Sequence, residues 1–71
     1  MIDTTGRHPS TQHLAKFFKY EHLSRDDMRS ISKLCHDLAS NMIERIPDGL
    51  ELTAGLRKLL EDKDCLVRAM L

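Results

Sequence analysis

Apolar residues recur along the chain in three runs of helical spacing, separated by short breaks. In the first run Leu14, Phe17 and Phe18 share one arc, while Lys16, Lys19 and Tyr20 lie towards its other side or its end. Pro9, Ser10 and Thr11 precede it. A hydroxyl there accepts an orphan amide hydrogen and proline is tolerated at the first turn, so a short helix is predicted from this point to about Tyr20. Residues 1–7 carry no periodicity and include Gly6, which reads as a flexible lead-in that orders only against a neighbouring subunit. The helical domain is expected over residues 8–71.

The second run opens at Ser24, with Asp26 and Asp27 in a first turn where carboxylates favour the positive end of the helix dipole. Met28, Ile31, Cys35, Leu38 and Met42 then step alternately by three and four residues, the spacing of a seam against a partner helix. Leu34, Ile43 and Ile46 widen that stripe. Pro47 forbids continuation, and Ile46-Pro47-Asp48-Gly49 predicts a tight turn in which Asp48 caps the third helix and Glu51 holds the capping-box position. The third helix repeats the pattern with Leu52, Leu56, Leu59, Leu66 and Met70, broadened by Leu60, Val67 and Leu71. Lys63 interrupts this stripe. Either its stem packs while its head rises to water, or the ammonium aims at an anion between helices.

Two long helices joined by so short a turn are expected to run antiparallel. The predicted fold is therefore all-α: a short N-terminal helix followed by an antiparallel two-helix hairpin. Such a unit cannot cover its own widened stripes, and 71 residues bury only about 60% of the surface of the unfolded chain. Assembly as a homo-oligomer is the expected remedy.

Charge and chemistry narrow the function. Eleven basic and eleven acidic residues give a net charge of zero, so no global field draws the protein to DNA, RNA or an acidic membrane. No run approaches the length of a membrane span, and the amino terminus lacks an apolar signal region. Cys35 and Cys65 fall on apolar helical faces and read as small, reduced core residues. The histidines His8, His13, His22 and His36 contain no i, i+4 pair, so no metal is expected. Cys35 and His36 are adjacent on a helix and point about 100° apart, which rules out a thiol and its base. No glycine-rich phosphate loop is present, so no cofactor and no catalytic residue are assigned and the chain is not expected to be an enzyme.

One cluster does stand out: His13, Lys16, Phe17, Lys19, Tyr20 and His22 interleave rings with cations, the composition that stacks a base and binds its phosphates. The stretch HPSTQHLAKFFKYEHL (residues 8–23), the capped helix after it and the ending LRKLLEDKDCLVRAML together resemble the phage anti-CBASS cyclic-nucleotide sponges, which share a helical-hairpin domain with the anti-Thoeris sponges. The resemblance spans residues 8–71. It implies a compact homo-hexamer in the host cytoplasm that sequesters cyclic di- or trinucleotide immune signals without cleaving them, and so blocks CBASS-type defence. It also places the family's base-stacking tyrosine at Tyr20. The family's phosphate-contacting lysine, counted without gaps from the Leu-Ser cap, falls on Cys35, with Lys33 and His36 nearby. Arg57, Lys58, Lys63 and Arg68 are the cations available for a second anion site at an oligomer axis. The expected ligand-binding residues are thus Tyr20, Lys16, Lys19, Lys33, His36 and Lys63. The alternative expectation is a helical-hairpin protein-protein interaction module without a small-molecule ligand, its cations forming a solvated face.

Overall fold

The computed structural model describes residues 2–71; Met1, the first residue of the expected flexible lead-in, lies outside them. Among the described residues the fold is all-helical and has no strand. Helix α1 spans Pro9–Ala15, a 3₁₀ turn follows over Lys16–Phe18, and two 20-residue helices, α2 (Asp26–Arg45) and α3 (Leu50–Ala69), complete the chain. No helix of the described residues is long and apolar enough to cross a membrane.

The helix starts use different atoms from those the sequence suggests. At α1 the capping acceptor is the His8 Nδ1, which receives the Ser10 amide at 3.0 Å, while the Thr11 hydroxyl is diverted to Asp48. Helix α2 begins two residues after Ser24, and Arg25 occupies its N-cap without a side-chain capping bond. Asp27 takes the Met28 amide at 2.7 Å and pairs with Arg25. Pro47 does end α2, but Gly49, not Asp48, is the N-cap residue of α3. Asp48 instead accepts from Arg7 Nε, the His8 amide and the Thr11 hydroxyl, at 3.2, 2.9 and 2.8 Å. Three donors converging on one carboxylate hold it well below its ordinary pKa, at about 2.

That carboxylate ties the amino-terminal segment, expected as a flexible lead-in, to the connection between the long helices. Arg7 also donates to the carbonyls of Ile43 and Ile46, closing the C-terminal end of α2, and Ile2 is buried in the core. A guanidinium at a helix C-terminus satisfies orphan carbonyls and is favoured by the dipole.

The core gathers Ile2, Leu14, Ala15, Phe18, Cys35, Ala39, Ile43, Leu52 and Leu56, with Leu59 and Leu60 packed against it. Its stripe on α2 is Ser32, Cys35, Ala39 and Ile43, so the helix is turned from the expected register and Leu38 and Leu34 stand 48% and 66% exposed. The short helix goes with this register: α1 packs on both α2 and α3, the 3₁₀ turn packs on α2, and Phe18 of that turn and Ala39 of α2 are both fully buried in one core. Phe17, assigned to the apolar arc with Phe18, is half exposed because the tightened turn swings it outward. Cys65 is exposed rather than a core residue. At the far end of the long helices, Arg25 donates to the carbonyl of Met70 at 3.2 Å.

Candidate functional site

The site starts where α1 stops. The expected helix to about Tyr20 ends as an α-helix at Ala15, tightens to three residues per turn through Phe18, and turns extended at Lys19 (φ −66°, ψ 145°). Such an ending leaves carbonyls without intrahelical partners. Lys63 of α3 supplies them: its Nζ donates to the carbonyl of Phe17 at 2.6 Å and to that of Lys19 at 3.1 Å. This lysine is 8% exposed, and burial pushes its pKa down while the nearby Asp64 opposes the shift. Its ammonium meets backbone oxygens, so it neither rises to water nor points to an anion between helices. Its direct effect is to fix the segment that carries Lys19 and Tyr20.

Tyr20 lies half-buried at the end of that segment. Its ring meets His36 edge-on at 5.0 Å, with 69° between the planes, and the Lys33 ammonium stands 5.9 Å from its centroid. Lys33 and His36 flank Cys35 in sequence. Cys35 turns into the core, where burial raises its thiol pKa, and the two flanking residues are the ones that reach the tyrosine. Asp37 joins them, accepting from Lys33 Nζ at 3.0 Å and lying 3.0 Å from His36 Nδ1. These contacts lower the Asp37 pKa, first through His36 and then through Lys33, and the Asp37 bond raises that of Lys33. The other ring nitrogen of His36, Nε2, is buried without a hydrogen-bond partner.

His36 also lines a cavity of about 410 Å³, within the usual size range of small-molecule sites. Lys16 and Lys19 stand on the same lining, with the buried Ala15 and Phe18 behind it and Glu21 adding a carboxylate. Tyr20 and Lys33 do not line it; His36 connects the two groups. The fold therefore brings five of the six sequence-expected residues into one region, Tyr20, Lys33 and His36 by direct contact and Lys16 and Lys19 through the shared cavity. Lys63 stands behind this region as its backbone clamp. His13, from the same basic cluster, meets Phe17 edge-on at 5.2 Å instead of joining Tyr20.

Asp37, Thr4 and Gln12 are lining or linking residues outside the sequence-expected set. Asp37 was legible as the i+4 partner of Lys33. Thr4 and Gln12 were not, because the arm that carries Thr4 shows no periodicity, and only folding places Thr4 beside Gln12 of α1 on the cavity wall. Among the described residues no group of three His, Cys, Asp or Glu side chains gathers to hold a metal ion. No protein-family model, curated protein or solved structure matches this chain.

Proposed function

We propose that this chain is a homo-oligomeric sponge that binds cyclic oligonucleotide immune signals without cleaving them and so blocks CBASS-type defence in the host cytoplasm. The observation that carries the reading is the grouping of one aromatic ring with four cationic or imidazole side chains: Tyr20 touching His36 and Lys33, and His36 sharing a cavity with Lys16 and Lys19. A base stacks on the ring, and ammonium groups take the phosphates by charge-assisted hydrogen bonds. The resemblance of residues 8–71 to the sponge family points to the same tyrosine, and Lys33 supplies a cation beside the Cys35 position.

The proposed assembly unit is an antiparallel hairpin of α2 and α3. The four-residue connection at one end and the Arg25 to Met70 bond at the other support that arrangement. The proposed oligomer, a hexamer in the resembled family, would cover the exposed Leu34, Leu38 and Leu66. The same leucines favour a second reading, a protein-docking module in which the cations are only a solvated face.

Incubating the protein with a panel of cyclic di- and trinucleotides, then heating to release the ligand, distinguishes the two. A sponge depletes a ligand from solution and returns it intact. Ligand returned as linear product would mean an enzyme, and no depletion of any member would leave the docking module. For any ligand that is depleted, Tyr20→Ala is expected to weaken binding roughly 5- to 150-fold, since a base-stacking ring contributes about 1 to 3 kcal/mol. Tyr20→Phe keeps the π-face and is expected to lose much less. A Tyr20→Ala protein that binds like its parent would remove the ring from the site.

A further inference from the structure

Residues 2–7 form a wall with several independent attachments. Asp3 accepts from the Thr5 amide and hydroxyl at 3.0 and 2.8 Å, and the Arg7 amide donates to the Thr4 carbonyl at 3.0 Å, closing a turn around Gly6 at φ 76°. Ile2 is anchored in the core and Arg7 on Asp48. Gln12 Nε2 then donates to the Thr4 carbonyl at 3.3 Å, so that arm and α1 meet on the lining of the cavity that also carries Lys16, Lys19 and His36.

We propose that Thr4 and Gln12 read the base edge of the cyclic oligonucleotide whose phosphates meet Lys16 and Lys19, which makes the amino-terminal arm the specificity element of the site. The inference rests on the cyclic-oligonucleotide reading above. Phosphates are alike in every such ligand, so the lysines confer affinity without discriminating between bases. Discrimination needs directed donors and acceptors. A carboxamide has two N–H donors and a carbonyl acceptor, and one donor of Gln12 is engaged by the Thr4 carbonyl, which fixes the orientation of the group. With the Thr4 hydroxyl, which both donates and accepts, it offers the mixed edge that adenine and guanine present in different order. Ile2 and Ala15, which keep 6% and 8% of their surface exposed, stand on the apolar part of the same lining.

The test is calorimetric titration of cyclic di-adenosine and cyclic di-guanosine monophosphate into the parent, Thr4→Val, Gln12→Leu and Lys19→Ala. Both wall residues are only half-buried, and circular dichroism checks that the variants keep the parental helicity. Each wall variant is expected to change the ratio of the two affinities by about tenfold, the effect of one lost hydrogen bond. Lys19→Ala is expected to weaken both ligands alike and leave the ratio unchanged. A parent that binds either ligand, with the ratio unchanged in both wall variants, overturns the specificity role alone. A parent that binds no cyclic oligonucleotide overturns the function itself and this inference with it.

Discussion

Asp48 and Lys63 each hold separate segments together, Asp48 through two side-chain donors and one amide and Lys63 through two main-chain carbonyls, partners that a helical pattern does not reveal. The Asp48 carboxylate takes donors from Arg7, His8 and Thr11, which lowers its pKa from the ordinary 3.8 to about 2. Because the folded-state value is the lower one, this stabilisation is fully present above about pH 4 and is lost as the pH falls through about 2. Asp48→Asn should therefore melt below the parent at pH 5, and the gap between them should narrow as the pH approaches 2. A gap that stays constant across that window would mean the ionised carboxylate is not what fastens the arm. Lys63 poses the opposite balance, since burial opposes its charge while two carbonyls reward it. Lys63→Met keeps most of the stem but leaves the Phe17 and Lys19 oxygens without their donor, at an expected cost of about 1 to 3 kcal/mol. Urea titration measures it, and a midpoint at or above the parental value would show that water satisfies those oxygens equally well. Tyr20 was legible from composition as a ring among cations. The role of Lys63 was not, because its partners are main-chain atoms 44 and 46 residues away.

At the scale of elements, the sequence announced the helices and misplaced the face of α2, while Leu52, Leu56 and Leu59 of α3 meet the core as their spacing predicts. Pro9 and Pro47 bound helices in the structure as they do in the pattern, since a missing amide and a fixed φ act locally. Spacing alone does not fix the register of α2, because steps of three and four residues fit both the Leu38 stripe and the Ala39 stripe; the 3₁₀ turn that packs on α2, with Phe18 fully buried, goes with the second. The arm has no periodicity to read, and its placement depends on Arg7 reaching the end of α2. Two glycines probe the elements that carry them. Gly6 has a positive φ and open space where a Cβ would be, so Gly6→Ala is expected to cost about 1 to 2 kcal/mol through backbone strain alone. Gly55 lies inside α3 with equally open space, and there alanine should stabilise the single chain by about 0.8 to 1 kcal/mol. Thermal melts of the two variants should thus move in opposite directions. If Gly6→Ala melts with the parent, the arm turn is not held in its positive-φ form.

For the whole molecule, the question is what covers the face that α1 leaves open. Two adjoining concavities of about 450 and 360 Å³ run along it, and Leu38 and Leu59 line both, so the apolar surface is continuous from Leu34 and Leu66 to Ile46 and Leu52. A monomer that left this surface in water would carry an association-prone patch, and the short helix is already committed to the other side of the long pair. We expect a particle larger than a dimer by light scattering, and a well-folded monomer at micromolar concentration would overturn that expectation. Substitution separates the interface from the core. In the single chain Leu38 is 48% exposed and Ile43 is 1% exposed. An aspartate at position 38 stays hydrated when the chain is alone and meets a desolvation penalty of several kcal/mol only when another subunit covers it. Leu38→Asp is therefore expected to lower the particle mass while retaining helicity. Ile43→Asp places the same charge in the core of every chain, so helicity itself should collapse whatever the concentration. Leu38→Asp with unchanged mass would take this face out of the interface, and loss of helicity in that variant would mean that the face belongs to the core of the chain after all.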